Sequence, residues 1–172
     1  MKLTRKIIRL FFATMVGLAI GTCFSFTWYA KSYKPYSWST PPILANCYGK
    51  DLPEAKLQSA VDFWIEYGNH IAFILQDPPD SVCKHDFLNG FIILKKAPMN
   101  SLNALARTET KYTYLKITSV VIYFEPGTYN LQWLTEHEIG HAFGYKHIDE
   151  IGNVMHPFVE FQGGKYWIPK GG

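Results

Sequence analysis

Three of the six histidines in the 172-residue chain lie within one eleven-residue stretch, HEIGHAFGYKH. On a helix, His137 and His141 lie one turn apart on the same face, so both imidazoles can reach a single ion. Glu138 faces the same cavity without being a ligand, which suits a base that takes a proton from a bound water. Gly144 ends the helix and lets the chain reverse, so that His147 returns as a third nitrogen ligand. A solvated, histidine-rich helix end would explain HExxH alone, but it explains the longer pattern poorly.

The full HExxHxxGxxH pattern resembles the extended zinc signature of the metzincin metallopeptidases and matches it at every defined position. Met155, in the stretch GNVMHP, resembles the methionine turn that follows the third histidine in that family. The short spacing from His147 and the presence of Pro157 resemble the matrixin-like members. The resemblance implies a zinc endopeptidase with one catalytic zinc ion, Glu138 as its general base and a protein or peptide as its substrate.

The resemblance extends less sharply upstream of the histidines. Leu105 and Ala106 in the stretch ALART resemble the edge strand on which matrixins align their substrate. The stretch SVVIYFEP resembles the next strand, and a helix predicted over 51–67 resembles the first helix of the family. No propeptide of the matrixin type, with its blocking cysteine, is visible in the sequence.

The elements that must position these residues follow from periodicity and turn signals. Gly68 ends the 51–67 helix, the Pro-Gly pair before residue 128 marks a turn, and a second helix can start at Asn130. Apolar runs predict strands over 70–75, 91–94, 104–108 and 117–124. This order predicts an α+β domain over 47–172, with a mixed twisted sheet, an N-terminal packing helix and an active-site helix.

The N-terminus is typical of a targeting segment. Four cations precede the 21 residues from Leu10 to Ala30, which carry no charge. This length favours a signal-anchor with residues 7–30 in the membrane and the remainder outside the cytoplasm, although a cleaved signal peptide over 1–30 stays open. A lipoprotein anchored through Cys23 is a weaker alternative. Residues 31–46, rich in Pro, Ser and Tyr, are predicted to be a linker.

Export changes the interpretation of the remaining cysteines. Cys47 and Cys83 would meet an oxidising compartment and are predicted to form a disulfide. Two separate buried thiols, or Cys47 as a thiolate that blocks zinc, are the alternatives.

The charge distribution argues against nucleic acid as a partner. The net charge of +3 belongs to the N-terminus, because from residue 31 onward the chain has 13 Lys and Arg against 14 Asp and Glu. The folded part therefore has no basic stripe to neutralise phosphates.

Two other expectations bear on the function. Matrixins bind structural calcium, but Asp77, Asp80 and Asp86 form too weak a pattern to predict such a site. The small size of the domain also motivates an alternative in which the chain is a zinc-containing, non-catalytic binding module of a cell envelope or virion. A hydrolase that acts on cell-wall material fits the long signature less well.

Overall fold

The computed structural model describes residues 33–98 and 104–169. The expected signal-anchor or signal peptide over 1–30, with its membrane segment at 7–30, lies outside the described residues. The strands are β1 (Ser37–Trp38), β2 (Ile43–Asn46), β3 (Ile74–Leu75), β4 (Phe91–Lys96), β5 (Ala106–Thr113) and β6 (Lys116–Phe124). The helices are α1 (Glu54–Ile65), α2 (Asp80–Cys83) and α3 (Leu134–Ala142), with 3₁₀ turns at Thr128–Asn130 and Val159–Phe161.

In the part of the chain that the structure describes, six strands form one mixed sheet. β3, β2, β4 and β6 lie side by side and run parallel. β5 pairs antiparallel with β6 at one edge, and β1 runs parallel to the first two residues of β6. Together with the packing helix α1 and the active-site helix α3, this sheet confirms the predicted α+β class and its mixed architecture.

The predicted linker over 31–46 is wrong for much of its length. β1 and β2 both fall within it, and β2 is a central strand between β3 and β4. Leu44 and Ala45 of β2 are fully buried, so the folded domain begins upstream of residue 47. A four-residue strand is too short to show a period, and its Pro- and Ser-rich neighbours masked it.

Helix α1 packs one apolar face against the sheet and α3. Leu57, Ala60, Val61 and Trp64 are buried as the 3.6-residue period predicts, whereas Ile65 is exposed at the end of the helix. The predicted strand over 70–75 is shorter than expected and comprises only Ile74–Leu75. The predicted strand over 104–108 is longer than expected, since β5 continues to Thr113.

Candidate metal centre and substrate groove

Helix α3 is almost completely buried. Its carbonyl at Glu136 accepts a hydrogen bond of 2.6 Å from the indole nitrogen of Trp64, which ties the helix to α1. The carboxylate of Glu136 lies 3.4 Å from the ammonium of Lys56. Gly140 faces the sulfur of Met155 and the ring of Trp64, leaving no room there for a side chain. The helix is therefore fixed from below, and its polar face points towards a groove.

The three histidines of the sequence pattern converge at this groove. The Nε2 atom of His141 lies 3.0 Å from Nε2 of His137 and 3.1 Å from Nε2 of His147. Gly144 has φ +93° and lies against the carbonyl of Tyr36, so both its conformation and its surroundings require glycine. The turn that it makes returns His147 to the helix.

The hydrogen bonds of the imidazoles identify which nitrogen faces the groove. Nδ1 of His137 lies 2.8 Å from the carbonyl of Val154, and Nδ1 of His141 lies 2.8 Å from the carbonyl of Tyr145. Each Nδ1–H therefore donates to a backbone oxygen, which leaves an Nε2 lone pair directed at the neighbouring imidazoles. Burial lowers the pKa of His137 to about 3 and that of His141 to about 4, so both rings are neutral at pH 7.

This donor set fits a zinc ion. Lone pairs that face each other form no hydrogen bond, but they can share a cation. Zn–N distances of about 2.0–2.1 Å in a tetrahedral site place neighbouring nitrogens about 3.3 Å apart, close to the separations found here. The backbone acceptors on Nδ1 are the partners that metal-binding histidines ordinarily need. Among residues 33–98 and 104–169, these histidines are the one group of three or more candidate ligands close enough to hold an ion.

Glu138 lies in the same groove and is 5% exposed. The hydroxyl of Thr108, on strand β5, donates a 2.5 Å hydrogen bond to its Oε2 atom. Burial raises the pKa of Glu138 to about 7, and the bond from Thr108 opposes this shift. Within the described residues the other carboxylate oxygen, Oε1, has no protein hydrogen bond. Thr108 is a functional candidate that the sequence did not reveal.

Met155 lies in a tight turn beneath α3 and is fully buried. Its N–H donates to the side chain of Asn153 at 3.0 Å, and its carbonyl accepts from the N–H of Ile148 at 2.9 Å. The second bond joins the turn to the residue that follows His147. Met155 therefore lies between the helix and the segment of the third histidine, where the methionine turn was expected.

The histidines and Glu138 line a cavity of about 630 Å³ that extends along β5. One wall comprises Leu105, just before β5, and Ala106, Thr108, Thr110 and Tyr112 of β5, and the other wall includes residues 157–160. Both predicted edge residues thus lie at the groove. The carbonyl of Leu105, however, already accepts from the N–H of Glu125 at 3.0 Å.

The predicted disulfide between Cys47 and Cys83 is confirmed, and it joins the end of β2 to α2. Because both sulfurs are in this bond, the alternative in which Cys47 blocks the metal as a thiolate is wrong. Of the aspartates considered for calcium, Asp86 is paired with the ammonium of Lys95 at 2.8 Å. Residues 33–98 and 104–169 contain no helix that is long and apolar enough to cross a bilayer.

A three-histidine centre beside a buried glutamate, under an antiparallel edge strand, has the donor set of a zinc metallopeptidase. The Matrixin peptidase family profile matches residues 52–170, which is more than half of the chain. The protein therefore belongs to the matrixin family. Comparison with curated proteins found no match.

Proposed function

We propose that this protein is a zinc-dependent endopeptidase, exported and anchored to a membrane. The observation that carries the enzymatic part is the convergence of three imidazoles and one buried carboxylate on a single groove. Burying a carboxylate is costly, and a purely structural metal site has no use for one that is not a ligand, so Glu138 supports catalysis.

Each residue has a defined part in peptide hydrolysis. The Nε2 atoms of His137, His141 and His147 would hold zinc, which when bound supplies a Lewis acid for the attacking water and the scissile carbonyl. Glu138 accepts the proton of the water through Oε1 and then delivers it to the departing amine. Thr108 holds Oε2, so the carboxylate presents one oxygen to the reaction in a fixed orientation.

The open side of β5 gives the substrate its position. In the described residues β5 pairs only with β6, so its outer edge carries unpaired backbone groups. Backbone groups of successive residues point to opposite sides of a strand. Since the carbonyl of Leu105 points inward, those of Ala106 and Thr108 point to the groove. An extended peptide would add to this edge antiparallel to β5, with its main chain beside the histidines.

The decisive experiment measures zinc content and hydrolysis of a quenched-peptide library by the full chain in detergent micelles. Glu138→Gln should retain one equivalent of zinc and lose about 10²–10⁴-fold in kcat/KM. The matched control is Glu66→Gln, an exposed acid at the end of α1 that lies outside the groove and should change activity less than about threefold. Equal losses in the two variants would contradict the role of Glu138.

The same measurements decide against or for the non-catalytic alternative. One equivalent of zinc in the wild-type chain, with no cleavage of any peptide, would favour a zinc-containing binding module of a cell envelope or virion. Zinc-dependent cleavage at a defined bond would exclude it.

Export and anchoring are supported by the uncharged stretch from Leu10 to Ala30 and by the disulfide, which is typical of an oxidising compartment. The first residue of the mature chain, determined by mass spectrometry, tests the anchor. A chain that begins at Met1 or Lys2 and floats with membranes supports it. A chain that begins near residue 22 is secreted after cleavage.

A further inference from the structure

Because β1, β2, β3, β4 and β6 are mutually parallel, they all begin at one end of the sheet, which we call the basal end. Backbone hydrogen bonds join the segments there. The N–H of Ala72 donates to Pro42, and the N–H of Ser37 donates to Leu115. The basal end is therefore one continuous surface rather than a set of separate loops.

The β5–β6 hairpin projects from this end. β4 first pairs with β6 at Val120, four residues after Lys116, so the tip extends about 13 Å beyond the start of β4. The two residues of the tip are Tyr114 and Leu115, which are 93% and 53% exposed. Phe73, which precedes β3 at the same end, is 51% exposed. Tyr114 and Leu115 are the apolar part of what we call the basal surface, whereas Phe73 lies about 13 Å further back, level with the start of β4.

The residue types at the tip are not those that two-residue hairpin turns ordinarily contain. Tyr114 has φ +52°, a conformation that two-residue hairpins ordinarily give to Gly or Asn. A large aromatic residue there is disfavoured by its backbone and gains nothing from burial in the domain. Its side chain is 93% exposed and is therefore accessible to a partner outside the folded chain.

The charges of the basal surface have one sign. Residues 33–42, 69–73, 88–90 and 113–117 make up this end and contain no Asp or Glu. Their basic residues are Lys34, His70 and Lys116, of which Lys34 is half-buried and donates to the side chain of Asn69. Exposed aromatic side chains flanked by lysine, without acids, are the composition found at the boundary between lipid headgroups and acyl chains.

The short distance in sequence between the uncharged N-terminal stretch and the basal end indicates what this surface contacts. Tyr33, the first described residue, follows the uncharged stretch Leu10–Ala30 by three residues. Three extended residues span about 10 Å, and four more lead to Ser37 beside the hairpin tip. If the uncharged stretch lies in a bilayer, the basal end cannot be far from the lipid surface.

We propose that the basal surface, formed by Tyr114 and Leu115 with Lys116, rests on the lipid bilayer that holds the N-terminal segment. The inference rests on the anchoring proposed above. β5 ends at the bilayer in this arrangement, so a peptide bound antiparallel to β5 has its N-terminal side nearest the lipid. The long axis of the substrate groove is then roughly perpendicular to the membrane surface rather than parallel to it.

The test reconstitutes the full chain in vesicles of phosphatidylcholine and phosphatidylglycerol and measures the depth of a fluorescent probe. The chain has three cysteines, and the one outside the Cys47–Cys83 bond, Cys23, is removed by Cys23→Ser. An environment-sensitive fluorophore is then attached through Thr40→Cys, at an exposed position of the basal end. A matched probe at Leu131→Cys, 38% exposed, follows the opposite ends of the strands.

We expect lipids that carry a quencher near the headgroup to quench the probe at residue 40 at least about twofold more strongly than the probe at residue 131. The combined variant Tyr114→Gly and Leu115→Ser should abolish that difference. It should leave the fold intact, because glycine suits the positive φ at position 114. Near-ultraviolet circular dichroism of the variant checks the fold.

The outcomes separate the two proposals. Flotation with vesicles but equal quenching at positions 40 and 131 would overturn the basal surface and leave the anchor standing. Strong quenching at position 40 that survives the tip variant would show that the short tether, rather than the hairpin, sets the distance, and would also overturn it. A chain that does not float refutes the anchor, and with it the surface.

Discussion

Gly140→Ala tests the packing beneath helix α3, because helix propensity and core packing predict opposite changes in the free energy of unfolding. Gly140 lies inside α3, where alanine is favoured over glycine by about 1 kcal/mol. In this structure a Cβ at position 140 would overlap the sulfur of Met155 and the ring of Trp64, both fully buried. Overpacking of this kind costs about 1–3 kcal/mol.

The larger end of that range applies here. The ring of Trp64 cannot move away without weakening the 2.6 Å hydrogen bond from its nitrogen to the carbonyl of Glu136, which would cost about another 1 kcal/mol. Subtracting the gain in helix propensity leaves a net loss of about 3 kcal/mol. For a domain of this size, that loss lowers Tm by about 10 °C.

Thermal and urea unfolding of the full chain in detergent micelles, without metal, measure the effect of Gly140→Ala. Met155→Ala alone should cost about 2–5 kcal/mol through the cavity that it leaves. The double variant should lose about 1 kcal/mol less than the sum, because the new methyl group fills part of that cavity. A Tm that rises in Gly140→Ala, as helix propensity alone predicts, would refute the packing described here.

Three further predictions concern the carboxylate, the disulfide and alkaline pH. Thr108→Val should lower kcat about 10–100-fold at unchanged zinc content by removing the donor to Glu138, while Thr108→Ser retains activity; equal rates in both variants would contradict this. Replacing Cys47 and Cys83 by serine should lower the free energy of unfolding by about 4 kcal/mol, since the bond closes a loop of 36 residues; an unchanged urea midpoint after reduction of the wild type would argue otherwise. Burial is the main cause that raises the pKa of Tyr123 to about 12, so the folded state holds this proton more tightly than the unfolded state does. The contribution of Tyr123 to the free energy of unfolding should therefore be fully present below pH 10 and be lost as pH rises towards 12. Tyr123→Phe should reduce this dependence on pH in urea titrations.

The candidate ligands could be predicted because their geometry is local. Two histidines four residues apart on a helix must share a face, and a glycine after the last turn lets the third return. Thr108 could not be found in this way, because its contact with Glu138 joins a strand to a helix thirty residues away. Only the pairing of β5 with β6 and the packing of β6 against α3 place its hydroxyl there. The register of a strand against a helix cannot be read from a single sequence.

The errors in the fold have a related cause. β2 is four residues long and buried in the middle of the sheet, so it shows neither alternation nor length. Its place is determined by its parallel partners β3 and β4, which lie thirty and nearly fifty residues further along the chain. Helix α1 was predicted more closely because a 3.6-residue period over several turns is visible within the sequence itself. Helix α2 was not predicted, and α3 begins at Leu134, four residues after the predicted start at Asn130.

The segment that precedes β2 does more than complete the sheet. The indole of Trp38 donates to the carbonyl of Ala142 at 2.8 Å, and the carbonyl of Tyr33 accepts from the N–H of Lys146 at 2.8 Å. These bonds brace both sides of the turn that brings His147 to the other two histidines. The residues that lead from the proposed anchor into the domain are thus part of the support of the metal centre. A cut before Tyr33 would release the domain from the membrane with that support in place, whereas a cut after Trp38 would separate the support from the domain. Release from the membrane therefore need not abolish activity.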